Sequence, residues 1–172
     1  LAGVLPPTKG TSKVDGKIAP MIELGAGFHP EMTGAENVRF YSALLGRDLK
    51  LVENRITAIG DWAGVSDHMD LPLRTFSSGM VARLAFAVAT DQTADVLLID
   101  EVLSVGDIEF QTKSAERMQK LISGGAAVVL VSHDLAAVRR LATKAIWIDA
   151  GRVMKYGEVQ EVTSEYESSF QN

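Results

Sequence analysis

Asp95-Val-Leu-Leu-Ile-Asp100-Glu101 is the stretch on which the reading of this chain turns. Its apolar run, Val96 to Ile99, has the length and composition of a strand buried on both faces, and it stops at two adjacent carboxylates. In an open α/β sheet, ligands gather at the carboxyl ends of the strands, which is where Asp100 and Glu101 fall. Neighbouring residues at a strand end point in different directions, so the two acids can divide two tasks. Taken alone, the same pattern also describes a strand that runs into a solvated turn.

Downstream, short β-type runs alternate with helical patterns: a helix over Phe110 to Ile122, a strand over Val128 to Val131, a helix after Asp134 and a strand over Ala145 to Ile148. Such alternation predicts a parallel sheet with crossover helices. Phe110, Met118, Leu121 and Ile122 share one helical face and read as core. Gly151 to Asn172 reads as a last hairpin strand and an amphipathic helix. The strand Val128 to Val131 leads into Ser132-His133-Asp134. A histidine there would lie beside the carboxylates in the same crevice, able to hydrogen-bond a phosphate, while Asp134 caps the following helix.

Upstream stands Phe76-Ser77-Ser78-Gly79-Met80, followed by an alanine-rich helical run from Val81 to Thr90. Ser77 or Ser78 is a good N-cap, and Gly79 lets a ligand approach the backbone, so the helix tip presents free amides and a hydroxyl. An ordinary capped helix has the same signature. The region from Gly34 to Gln92 carries helical spacing at Val38, Tyr41, Leu44 and Leu45, and again at Ile56 and Ile59, which predicts a helical subdomain. From Thr11 to Leu24, alternation broken by Asp15-Gly16 predicts two short strands in a tight hairpin. Leu1 to Leu5, ending at Pro6-Pro7, reads as the last turn of a helix. His29 and His68 sit in loop-like contexts and read as surface residues.

Composition narrows the classes. With 47% apolar and 23% charged residues in 172, the chain has the balance of a globular protein with one core. The absence of cysteine excludes disulfides and thiolate metal sites. No apolar run approaches the roughly 18 residues that span a bilayer, so a membrane role would run through a partner. Nothing near Leu1 reads as a signal peptide. A net charge of -5 argues against a nucleic-acid surface.

These motifs, in this order and over almost the whole chain, resemble the ATP-binding-cassette ATPase family. The resemblance implies an α/β fold: a RecA-like parallel sheet core with a helical subdomain and a remnant of an antiparallel β subdomain. Residues 1–33 would hold that remnant and the Q-loop region, 34–93 the helical subdomain ending in the signature helix, and 94–172 the core. Phe76 to Met80 matches a divergent signature motif, Arg83 the arginine that follows it, and Val96 to Asp100 the Walker B strand. Glu101 falls on the catalytic glutamate, Ser104 to Asp107 on the D-loop and His133 on the switch histidine. ATP and Mg²⁺ are the cofactors implied, with Asp100 on the metal and Glu101 and His133 catalytic. Ser77, Ser78, Gly79 and Asp107 would engage nucleotide. The implied partners are a second ATPase subunit, the two sandwiching ATP, and a transmembrane permease; no nucleic acid is expected. That places the protein at the cytoplasmic face of the membrane.

The stretch Glu23-Leu-Gly-Ala-Gly-Phe-His-Pro-Glu-Met-Thr-Gly, together with Leu84-Ala-Phe-Ala-Val-Ala-Thr, is similar to ATPases that export O-antigen, capsular polysaccharide or teichoic acid. Three departures stand out. No glutamine occupies the Q-loop position, where Glu23 is the nearest oxygen ligand. Ser78 and Met80 replace the usual signature glycine and glutamine. Finally, Gly10-Thr-Ser-Lys-Val-Asp-Gly16-Lys17-Ile18 is no Walker A loop, since five residues separate its glycines and Ile18 lacks the hydroxyl that Mg²⁺ needs. The resemblance implies that the chain starts just past that loop and is inactive by itself. Two alternatives are a cassette ATPase that never meets a membrane and a non-catalytic interaction module that kept the signature surface.

Overall fold

The computed structural model describes residues 3, 5–21, 25–92, 94–100 and 107–170, and resolves them into two compact units, Leu1–Val129 and Leu130–Asn172. Strand β1 (Ile18–Met21) lies beside β2 (Val96–Asp100), and β3 (Ala127–Val131) flanks β2 on the other side. The β1–β2 ladder is parallel, with Ile18 opposite Val96 and Met21 opposite Ile99. Leu97, Leu98 and Ile99 are buried, as a central strand requires, and Pro20 lies in β1, at the edge of the sheet among the described residues.

This pairing corrects the expected hairpin over Thr11 to Leu24. Residues 11–17 form no strand, and Ile18–Met21 joins the Walker-B-like strand in parallel instead of folding back on itself. The reason lies at Gly16, whose φ of +113° turns the chain against Asp95; a Cβ there would meet Asp95 Cβ at 2.6 Å. The Lys17 amide donates to Asp95 Oδ2 at 2.7 Å, and the Lys17 carbonyl accepts from the Asp95 and Val96 amides. Asp15-Gly16 thus opens a parallel ladder. The antiparallel pair of the fold occurs elsewhere, in β4 (Lys144–Asp149) with β5 (Arg152–Glu158). The strand expected over Ala145 to Ile148 therefore exists, with β5 as its described partner.

The helical region matches its expectation: α1 (Gly34–Leu44), α2 (Leu49–Glu53), α3 (Ile56–Ala63) and α4 (Ser78–Thr90). Val38, Tyr41, Val52, Ile59, Leu84 and Val88 form its core. Thr33 starts α1 with a capping box: its hydroxyl accepts from the Glu36 amide and Glu36 returns to the Thr33 amide. Those bonds hold the Glu36 carboxyl below its usual pKa. Asn37, fully buried, accepts from the His29 amide at 2.6 Å and donates to the carbonyls of His29, Met32 and Thr33, which pins the loop ahead of α1. His29 and His68 are exposed, as read from sequence.

Helix α4 is clasped at its far end. Arg47 donates to the carbonyls of Val88 and Ala89 at 2.6 and 2.9 Å, filling acceptors that a helix C-terminus leaves open, and burial pushes its guanidinium pKa down. Immediately beyond, the Asp91 side chain is 3% exposed; it accepts from Arg55 at 2.8 Å and faces Arg117 of α5 (Ile108–Ser123) at 3.7 Å. Arg117 lies over the Trp62 ring at 4.2 Å, and Trp62 stacks on Phe86 and meets Phe110 edge-on. Removing the one acid would leave buried guanidinium charge uncompensated. Asp91→Ala is expected to cost about 3 kcal/mol, lowering Tm by roughly 6–12 °C in thermal unfolding followed by circular dichroism. An unchanged Tm would show that water, and not Asp91, satisfies these arginines.

In the second unit, Asp134 Oδ1 accepts from the Ala136 and Ala137 amides and starts α6 (Leu135–Leu141), as predicted. Helix α7 (Val159–Ser169) packs on one face of β4–β5, where Trp147 meets Tyr166 edge-on at 5.6 Å. The opposite face exposes Ile146, Ile148, Val153, Met154 and Tyr156.

Candidate nucleotide-engaging site

Ser77 is the N-cap of α4. Its φ and ψ are extended, and its hydroxyl accepts from the Met80 amide at 3.2 Å. Helix 78–90 starts here because the 3₁₀ turn Leu73–Thr75 and the buried Phe76 ring bring the chain to the helix axis. Ser77 and Ser78 are exposed. A Cβ placed on Gly79 would meet nothing closer than Ser77 Oγ at 3.9 Å, so the space above the tip is open. Unpaired first-turn amides, the positive end of the helix dipole and a hydroxyl therefore face solvent together, an arrangement that receives a phosphate oxygen.

Asp100 ends β2 with its side chain exposed, after three buried apolar residues. Among the described residues no group of three or more His, Cys, Asp or Glu is arranged to hold a metal. One carboxylate suits Mg²⁺ completed by phosphate oxygens and water, the usual way that ion is bound beside nucleotides. The exposed Asp100 carboxylate is compatible with Mg²⁺ bound in that way.

Asp107 caps α5: its Oδ1 accepts from the Phe110 amide at 2.9 Å, while Oδ2 lies 3.5 Å from Arg83 Nη1. The structure so brings together the two helices that carry the signature-like tip and the end of the D-loop-like stretch. His133 follows β3 in the second unit, exposed, just before the Asp134 cap. Glu101, Glu23 and Ser104 to Gly106 lie outside the described residues. Sequence reading named Arg83 and Asp107 separately and gave no sign of their contact, since a pair 24 positions apart leaves no local pattern. Asn37, which pins the loop ahead of α1, and Arg47, which clasps the end of α4, carry no sequence signal beyond polarity.

No protein-family model matches the chain. It is 39% identical over 169 residues, 98% of its length, to the O-antigen export system ATP-binding protein RfbB of Klebsiella pneumoniae, and spans 69% of that protein. It is 35% identical over 167 residues to the teichoic acids export ATP-binding protein TagH of Bacillus anthracis, of which it spans 30%. Among solved structures, the ATP-binding subunit of an ABC transporter superposes on 88% of the chain with a TM-score of 0.71 at 21% identity, and the chain spans 62% of that subunit. The fold, the motif order and the 39% identity agree, and the chain belongs to the ATP-binding-cassette family, in the group that contains the O-antigen export ATP-binding proteins.

Proposed function

We propose that this chain serves ATP binding and hydrolysis in an exporter of cell-surface polysaccharide, working as one of two paired ATPase subunits against a transmembrane permease. The observation that supports this reading is the open tip of α4, where the N-cap Ser77, exposed Ser78 and unobstructed Gly79 stand at a helix N-terminus suited to a phosphate. Such a tip acts across a subunit interface, on a nucleotide gripped by the opposite subunit's phosphate loop. Among the described residues no helix is long and apolar enough to cross a membrane, and association with the cytoplasmic face would run through the permease.

Each residue has a definite task in this scheme. Ser77 and the Ser78 and Gly79 amides hold the terminal phosphate oxygens of the partner-bound ATP. Asp100 would hold Mg²⁺, Glu101 would orient the attacking water, and His133 would donate to the terminal phosphate. Glu23 takes the Q-loop position, and Asp107 closes the segment that follows Glu101. Mg²⁺, when bound, neutralises charge on the phosphate oxygens. The exported cargo is a cell-surface polysaccharide such as O-antigen, capsule or teichoic acid; the names of the relatives give O-antigen and teichoic acids. Because the 172 residues hold no Walker A loop, the chain by itself binds ATP weakly and does not turn it over.

The test is complementation. The 172-residue chain is mixed with a polysaccharide-export ATPase subunit that keeps its phosphate loop but carries Arg at its own signature serine. Neither alone is expected to hydrolyse ATP, and the mixture is expected to do so. Two folded proteins that stay silent together would rule out action across the interface and favour a non-catalytic docking role for the α4 tip.

A further inference from the structure

Arg83 sits one turn behind the signature-like tip, four positions after Gly79, and its Nη1 reaches Asp107 Oδ2 at 3.5 Å. The same guanidinium lies 6.0 Å from the Phe110 ring centre, and Asp107 accepts from the Phe110 amide. One side chain therefore touches both the cap of α5 and the residue that is capped. Its Nε is buried with no hydrogen-bond partner. An unpaired buried donor is a cost that an apolar side chain of similar length would avoid, so packing alone does not account for arginine here.

Fold stability does not account for it either. The Asp107 side chain is 65% exposed and the pair is long, which makes it a weak contributor to folding. What the pair does provide is spacing. It ties the helix bearing Ser77 to Gly79 to the residue that terminates the Glu101–Gly106 stretch.

We propose that Arg83 is a positioning residue for ATP hydrolysis: through Asp107 it locks the start of α5 to α4, so that the signature-like tip is held toward the shared phosphate site in one fixed orientation. This rests on the function proposed above, because only a tip that acts on phosphate gives the spacing a catalytic consequence. Displacing a positioned group by an ångström costs up to about a hundredfold in rate, so the effect belongs in kcat. KM for ATP should stay put, since the partner's loop grips the nucleotide.

The test uses the complemented mixture with Arg83→Ala, Asp107→Ala and the double variant of the 172-residue chain. Each single substitution is expected to lower kcat roughly ten- to a hundredfold with KM unchanged, and the double variant to be no worse than either single. Arg83→Lys, which keeps the positive charge beside Asp107, is expected to recover part of the rate. Hydrogen exchange on the chain alone is expected to show a faster Phe110 amide in Arg83→Ala with little change in Tm. A silent mixture with the unmodified chain would sink the proposed function and this role together. An active mixture in which Arg83→Ala keeps full kcat, or in which the two single losses simply multiply, would overturn the positioning role alone.

Discussion

Glu101→Gln is expected to stop hydrolysis while leaving ATP bound, in a fusion that supplies a phosphate-binding loop ahead of Leu1. Gln keeps the size and the hydrogen-bonding edge of Glu but cannot accept a proton from the attacking water. Loss of a positioned general base lowers rate by roughly 10²- to 10⁴-fold, and binding, which depends on the loop and Mg²⁺, should change little. Single-turnover hydrolysis and equilibrium binding of a fluorescent ATP analogue, measured on the same sample, separate the two. A variant that hydrolyses at the parental rate would take Glu101 out of the base role and leave Asp100 as the acid to examine.

Ser77→Arg acts from the other side of the site. The substitution removes the hydroxyl that caps α4 and places a long side chain across the open space above Gly79. Loss of the cap costs about 1 kcal/mol, which lowers Tm by only a few degrees and leaves the helix formed, because Leu84 to Thr90 is buried. Turnover in the complemented mixture should nonetheless fall by on the order of 10²- to 10³-fold, the scale on which a lost transition-state donor is felt. Normal turnover together with a normal circular dichroism spectrum would mean that phosphate never approaches this tip.

The parts of the fold that sequence exposed are those with local causes. Val96 to Ile99 is apolar without interruption and ends in acid, and both the strand and the exposure of Asp100 follow. Ser77 and Asp134 were recognisable as caps because a short polar side chain precedes a helical run, and each makes the expected bond. The site roles of Glu101 and Glu23 rest on motif order alone.

Strand pairing was less legible. Asp15-Gly16 has the composition of a hairpin turn, and nothing nearby says that Ile18–Met21 takes its partner from residues 96–99, far along the chain. Parallel register is set by long-range burial, here by Ala19 and Met21 turning inward beside Leu97 and Ile99. The Asp91 cluster was hidden for a related reason. Arg55, Asp91 and Arg117 carry no local pattern, and only the fold draws both arginines to Asp91 and lays Arg117 over Trp62. The contact of Arg83 with Asp107 likewise appears only once α4 and α5 lie side by side.

Helix α4 is a rod of 13 residues, about 20 Å long, with its open, Ser77-capped tip at one end and Arg47 and Asp91 at the other. A tilt of about 5° around that anchored heel swings the tip by roughly 1.7 Å, enough to make or break a hydrogen bond. The heel residues thereby act as a fulcrum for the tip. Loosening them would shift the tip before the helix itself melts, and under the proposed function that shift would reach the phosphate.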